Sequence, residues 1–110
     1  MELHPGGPVG WTVTSGQGGA YTLRYVPSGK VLDVNASSTV EGLQLQQWTA
    51  NNGNNQLWYL RPTGDGYYTI TSYSSGLLAD VYGASTADGA QVVQWSANGG
   101  TNQQWQFVRA

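Results

Sequence analysis

The sequence predicts an all-β fold assembled from a repeated unit of 47 residues, and three observations support this. Sixteen glycines occur among 110 residues, together with seven tyrosines, five tryptophans and abundant Asn, Ser and Thr. Dense turn formers beside aromatic and β-branched residues are typical of short strands with tight connections. No segment has apolar residues at helical spacing. Finally, tryptophans recur at positions 11, 58 and 105, which are 47 residues apart (58 − 11 and 105 − 58).

The same interval aligns two successive units along their whole length without a gap. The aligned pairs include Tyr21 with Tyr68, Gly29 with Gly76, Asp33 with Asp80, Gly42 with Gly89, Trp48 with Trp95, and Gln56 with Gln103. Matches in one register over so many positions indicate a true internal repeat. We therefore divide the single domain into a leader (1–8), the fourth strand of a partial repeat (9–17), a first full repeat (18–64) and a second full repeat (65–110).

Each full repeat is predicted to contain four short strands separated by turns rich in Gly, Ser and Asn. The predicted strands are 21–25, 31–34, 44–48 and 57–61 in the first repeat, and 68–73, 77–81, 91–95 and 104–108 in the second. Four-stranded units of about this length occur in β-propellers and β-trefoils. Two units and one further strand are too few for a propeller. They predict an incomplete β-trefoil, which we expect other copies of the chain to complete.

Composition and charge argue against several classes of function. The net charge is −2, so the chain lacks the cationic surface that nucleic acids require. With no cysteine and a single histidine, His4, neither a metal centre, a cofactor nor a Ser–His–Asp triad is expected. No apolar run reaches the roughly 20 residues that span a bilayer, and the first residues show no signal-peptide pattern. Membrane insertion is therefore not expected.

Acidic residues offer no clear glycosidase centre either. Such a centre needs two facing carboxylates with different roles. Here Asp33 and Glu41, eight residues apart, recur one repeat later as Asp80 and Asp88. A pair that is repeated in this way suits binding or scaffolding better than one catalytic centre. We therefore expect no catalytic residues.

A Gln-x-Trp motif ends each full repeat, as Gln56-Leu57-Trp58 and Gln103-Gln104-Trp105. Together with an Asp on each second strand, these motifs resemble the ricin B-type lectin family, which includes trefoil carbohydrate-binding modules of secreted glycosidases. The resemblance covers nearly all of the chain after Pro8. It implies a β-trefoil, a secreted parent protein, and one shallow site per repeat for a mono- or oligosaccharide of the galactose or xylan type.

The resemblance also assigns binding positions within the two full repeats. In the first repeat they are Asp33, Gln46, Trp48, Asn55 and Gln56, and in the second they are Asp80, Trp95, Asn102 and Gln103. Val93 stands in the second repeat where Gln46 stands in the first, so the second site is expected to be weaker or to select differently. The partial repeat has Pro8 and Val9 at the matching amide positions, and no third site is expected.

These residue types suit a neutral sugar, because an aromatic ring stacks on its C–H face while a carboxylate and amides bind its hydroxyl rim. Trp48 and Trp95 each follow the Asp of their repeat by fifteen residues and lie beside a turn, where a ring can be half exposed. Trp11, Trp58 and Trp105 are expected in the core. We therefore expect weak, multivalent, non-catalytic carbohydrate binding.

Two alternatives remain open at this point. Trp48 and Trp95 could cap their hairpins from inside, and the two aspartates could be bound by backbone N–H groups. The repeats would then form a structural or protein-interaction scaffold. The chain could also be an excised or engineered fragment that assembles with itself, which is compatible with sugar binding.

Overall fold

The computed structural model describes residues 11–84 and 91–106. Its strands are β1 (Trp11–Ser15), β2 (Tyr21–Tyr25), β3 (Val31–Asp33), β4 (Gln46–Trp48), β5 (Trp58–Pro62), β6 (Tyr68–Ser72), β7 (Leu78–Val81) and β8 (Val92–Trp95). Short 3-10 turns cover Asn35–Ser37, Asn54–Gln56, Tyr82–Ala84 and Thr101–Gln103. Within these two ranges no helix has the length and apolarity needed to cross a bilayer. The predicted all-β class is confirmed.

The first and fourth strands of the repeats alternate around an open barrel. β1 pairs with β2, β2 with β5, and β5 with β6, all antiparallel. Tyr68 at the start of β6 then forms a bridge with Trp105. Among the described residues β1 pairs with β2 alone, so the barrel is open between β1 and the segment that contains Trp105. The described part of the barrel therefore consists of four strands and the bridge at Trp105.

The second and third strands of each repeat form hairpins, β3–β4 and β7–β8, that extend from the barrel. A loop of the first repeat, residues 38–43, joins the hairpin of the second. Gly42 N donates to Gln94 O at 2.8 Å, and Gln94 N donates to Leu43 O at 3.0 Å. The two repeats therefore share backbone hydrogen bonds as well as a core.

The core lies where the barrel and the hairpins meet. Its members are Leu23, Leu32, Val34, Leu45, Trp58, Ile70, Ala79, Val92 and Trp105. The Trp58 and Trp105 indole N–H groups donate to Leu32 O and Ala79 O, both at 3.1 Å. The predicted core position of these two tryptophans is confirmed. Trp11, also expected in the core, is only half-buried against the same cluster, because β1 lies at the open edge of the barrel. Its buried indole N–H has no acceptor in the described part of the chain.

Several strand ends differ from the prediction because the backbone there bonds outside its own hairpin. β3 ends at Asp33, since Val34 N donates to Asn55 O at 3.0 Å. β4 begins at Gln46, since Leu45 N donates to Val92 O of the second repeat at 2.9 Å. Within the predicted strand 104–108, Trp105 forms an antiparallel bridge with Tyr68. Residues 107 and 108, like the leader 1–8, lie outside the described residues.

Candidate functional site

Three side-chain amides hold the carboxylate of Asp33 at the end of β3. Gln46 Nε2 donates to Oδ1 at 3.0 Å, while Gln56 Nε2 and Asn55 Nδ2 donate to Oδ2 at 2.9 and 3.3 Å. Asp33 is only 2% exposed. A buried charge is costly unless it accepts hydrogen bonds, and these amides supply them. In the described part of the chain no backbone N–H donates to this carboxylate, so the alternative of main-chain anchoring is not found.

Asp80 occupies the equivalent position on β7 and has fewer donors. Asn102 Nδ2 donates to its Oδ1 at 3.2 Å, and Gln103 Nε2 donates to its Oδ2 at 2.8 Å. Val93, directly opposite Asp80, provides no third amide. A carboxylate accepts about four hydrogen bonds. Among the described donors, two bind Asp80 and three bind Asp33, so Asp80 keeps the greater capacity for a ligand hydroxyl.

The glutamine of each Gln-x-Trp motif ties its carboxylate to the turn that follows the exposed tryptophan. Gln56 Nε2 also donates to Thr49 O at 3.0 Å, and its Oε1 accepts from Asn51 N at 2.9 Å. Gln103 repeats both contacts with Ser96 O and Asn98 N, at 2.9 and 3.0 Å. Both glutamines are about 1% exposed. They act as positioning groups for the carboxylates.

The turns between tryptophan and glutamine leave little space for a side chain at Gly53 and Gly100. A Cβ on Gly53 would lie 2.6 Å from Asn55 Oδ1 and 2.8 Å from Asn51 Oδ1. Real Cβ atoms do not approach oxygen so closely. The Asn51 side chain is used in this turn, because its Oδ1 accepts from Gly53 N at 2.8 Å. Gly100 and its neighbouring asparagines repeat the arrangement.

Trp48 and Trp95 present their rings to solvent. Their exposed fractions are 54% and 37%, which is high for tryptophan. They end β4 and β8, opposite Val31 and Leu78. The alternative in which these rings cap their hairpins from inside requires buried rings, and neither ring is buried.

The structure brings the nine predicted residues together as two groups. Gln46 lies opposite Asp33, and Trp48 follows Gln46 by two residues, so all three side chains share one face of the β3–β4 hairpin. Asn55 and Gln56 reach the same carboxylate from the adjoining 3-10 turn. Asp80, Trp95, Asn102 and Gln103 are arranged in the same way on β7, β8 and the turn Thr101–Gln103. We call these groups the first and second cradles.

A loop residue that the sequence reasoning did not place in a site lies beside the second cradle. The Glu41 carboxylate oxygen Oε1 accepts from Ser96 N at 2.9 Å and from the Ser96 hydroxyl. A Cβ on the neighbouring Gly42 would lie 3.3 Å from Cζ3 of Trp95. The recurring spacing of Asp33–Glu41 and Asp80–Asp88 was the one available signal, but it does not reveal a contact with the other repeat.

The described residues contain no group of three or more His, Cys, Asp or Glu side chains that could hold a metal ion. Each cradle therefore offers an exposed indole face, an amide-bound carboxylate and carboxamide groups. Such a set can stack on an apolar face and exchange hydrogen bonds with hydroxyls.

Comparison with solved structures shows a β-trefoil. A designed three-fold symmetric protein, ThreeFoil, is similar with a TM-score of 0.88 and 44% identity, over 91% of this chain and 71% of that one. An exo-β-1,3-galactanase from Clostridium thermocellum is equally similar (TM-score 0.88, 44% identity), over 91% of this chain but 22% of the enzyme. A Polyporus squamosus lectin, solved with the epitope Neu5Acα2-6Galβ1-4GlcNAc, has a TM-score of 0.71 and 22% identity over 87% of this chain and 34% of its own.

These similarities confirm the predicted β-trefoil-type fold, and the lectin, at 22% identity, shows the fold alone. The comparison with curated protein sequences returns no match. The profile of the ricin-type β-trefoil lectin domain-like family matches residues 10–95 and 64–110. That match covers nearly the whole chain and includes both cradles. The protein therefore belongs to the ricin-type β-trefoil lectin domain-like family.

Proposed function

We propose that this protein binds saccharides without catalysis, through the first and second cradles. The proposal rests on one arrangement that occurs in both repeats. A solvent-facing tryptophan lies on the same hairpin face as a buried carboxylate, and side-chain amides bind that carboxylate. Trp48 and Trp95 supply apolar faces for a sugar ring. Asp33 and Asp80 supply acceptors for hydroxyls, and their bound amides fix the direction in which those acceptors point.

A galactose-type sugar is the favoured ligand class. The exo-β-1,3-galactanase is 44% identical over 91% of this chain, which supports a ligand related to the galactan on which that enzyme acts. Since the chain spans 22% of the enzyme, its hydrolytic activity is not part of the proposal. A xylan-type sugar is the alternative within the same class of function.

Binding at one cradle is expected to be weak. One stacked ring and three or four hydrogen bonds, reduced by the cost of ordering, give roughly 4–6 kcal/mol, or millimolar to tens of micromolar dissociation constants. Two cradles in one chain raise the apparent affinity for a polymer that can reach both. We infer that the repeat serves to provide this multivalence. We also infer that the parent protein is secreted.

Titration of the intact chain with galactose, lactose, β-1,3-galactobiose, xylobiose and cellobiose tests the proposal, using tryptophan fluorescence and calorimetry. We expect a galactoside to bind at two sites. Trp48→Ala and Trp95→Ala should each remove one site or weaken it at least about tenfold, because each deletes a stacking face. Both rings are exposed, so neither change should unfold the protein.

Tyr67→Ala is the matched control, because Tyr67 is an exposed aromatic on the β5–β6 turn outside both cradles. It should leave both sites unchanged. The absence of any response to the whole panel by a folded sample would reject sugar binding. It would favour a structural or protein-interaction scaffold, a function that also agrees with the similarity to a designed symmetric protein.

The open barrel supports a further part of the proposal, that copies of the chain associate and complete one another. β1 lacks a second strand partner among the described residues, and the Trp11 indole N–H lacks an acceptor there. In both full repeats the equivalent tryptophan donates to a carbonyl 26 residues earlier (58 − 32 and 105 − 79). A neighbouring copy that supplies a strand and a carbonyl at this edge would satisfy both groups.

A further inference from the structure

The loop 38–43 of the first repeat packs against the second cradle. Its Glu41 binds the backbone N–H and the hydroxyl of Ser96, the residue that follows Trp95. Its Gly42 has a positive φ of 83°, and a Cβ at this position would lie 3.3 and 4.0 Å from Cζ3 and Cε3 of the Trp95 ring. The ring and the turn beside it are thus supported by the preceding repeat.

A buried glutamine fixes that loop in position. Gln94, next to Trp95, is 0% exposed, and its Nε2 donates to Ser38 O at 3.0 Å and Val40 O at 2.9 Å. Its Oε1 accepts from the Ser75 hydroxyl at 2.9 Å. Backbone bonds from Gly42 N to Gln94 O and from Gln94 N to Leu43 O complete the attachment. The loop is therefore held by both main-chain and side-chain contacts.

The first cradle has no such support among residues 11–84 and 91–106. Gln47, the equivalent of Gln94, is half-buried, and its Oε1 accepts from the Ser28 hydroxyl at 2.7 Å, as in the second repeat. No described loop receives its amide nitrogen or covers the Trp48 ring. Trp48 is correspondingly more exposed than Trp95, at 54% against 37%.

We propose that the two cradles are not equivalent, and that Glu41 is a positioning residue for the second one. The first repeat holds Trp95 and the Ser96 turn in their binding arrangement before a ligand arrives, whereas the Trp48 cradle must order its ring and turn during binding. Preorganisation lowers the cost of association. This inference rests on the proposed saccharide binding. Preorganisation favours tighter binding at the second cradle. The absence of an amide at Val93 acts in the opposite direction.

Fluorine NMR of the chain labelled with 5-fluorotryptophan tests the inference, because each tryptophan then gives its own resonance. Trp48→Phe and Trp95→Phe assign the two resonances. We expect Glu41→Ala to raise the solvent isotope shift of Trp95 without ligand and to weaken saccharide binding at Trp95 about three- to tenfold, as expected for the loss of one or two hydrogen bonds. Trp48 should change in neither measurement.

Glu41→Gln is the conservative variant, because its amide oxygen can still accept from Ser96. It should retain the Trp95 isotope shift and affinity of the unmodified chain, which a general loss of stability would not allow. Equal changes at Trp48 and Trp95, or no change at Trp95, would overturn the inference. If no saccharide binds, the proposed function fails, while the ligand-free isotope shifts still decide whether Glu41 positions Trp95.

Discussion

Asp33 and Asp80 are buried carboxylates whose hydrogen-bond donors, among the described residues, are side-chain amides and not backbone N–H groups. Each aspartate lies in an apolar strand and accepts from the glutamine of its own Gln-x-Trp motif, at 2.9 and 2.8 Å. Each glutamine also spans the turn after the exposed tryptophan. A single glutamine therefore serves both stability and the proposed binding function, since it fixes the carboxylate relative to the ring.

Replacing Gln56 with leucine should destabilise the protein by about 2–4 kcal/mol. The change removes donors to Asp33 Oδ2 and Thr49 O and the acceptor for Asn51 N, and a buried polar group without a partner costs about 1–3 kcal/mol. Urea unfolding measures the effect. Gln91→Leu, at an exposed side chain, is the control and should change stability by less than about 0.5 kcal/mol. A Gln56→Leu variant as stable as this control would contradict the assigned role.

At the scale of elements, the hairpins and the adjoining 3-10 turns carry the cradles, while the barrel strands and the hairpins share the core. The β5–β6 hairpin shows how side chains define its turn. Asp65 Oδ1 lies 2.5 Å from Thr63 Oγ1 and accepts from Tyr67 N at 3.2 Å. These hydrogen bonds, that from Thr63 above all, hold the pKa of the Asp65 carboxyl below its ordinary value.

The lowered pKa predicts how this turn responds to acid. A carboxyl group whose pKa is lower in the folded state stabilises it above the ordinary pKa of aspartate, and the contribution disappears as the pH falls through the lower, folded value. NMR titration of the Tyr67 amide should therefore show a midpoint below the ordinary aspartate pKa. Asp65→Ala should abolish that transition. A midpoint at or above the ordinary value would contradict the assignment.

At the scale of the whole molecule, the edge of β4 is uncovered in the described structure, whereas a loop covers the equivalent edge of β8. Gln94 on β8 bonds to the loop 38–43 through its backbone and its side chain. The equivalent Gln47 on β4 has no such loop among the described residues, and a concave surface lies beside it, lined by Gln44, Leu45, Gln46 and Gln47. An edge of this kind favours association with another copy.

Gln47→Lys should weaken self-association through the β4 edge, because an ammonium group there would have to lose water when a partner covers it. Sedimentation velocity at micromolar concentrations should show an oligomer for the unmodified chain and a shift toward monomer for the variant. Val26→Lys, at a residue that is 60% exposed on the β2–β3 turn, should sediment unchanged. A well-folded monomer for the unmodified chain at these concentrations would reject completion by copies.

The sequence by itself determined the repeat and the all-β class, and its resemblance to a known family indicated the residues that form each cradle. A period of 47 and the Gln-x-Trp motifs place Asp33, Trp48 and Gln56 at equivalent points of each unit, because equivalent positions in a repeat adopt equivalent structure. Only the tertiary structure decided that side-chain amides hold the carboxylates, that Trp48 and Trp95 face solvent, and that Glu41 bonds to Ser96 across the repeat boundary. Such contacts join residues as many as 55 positions apart, and a local pattern does not specify which distant groups the fold brings together.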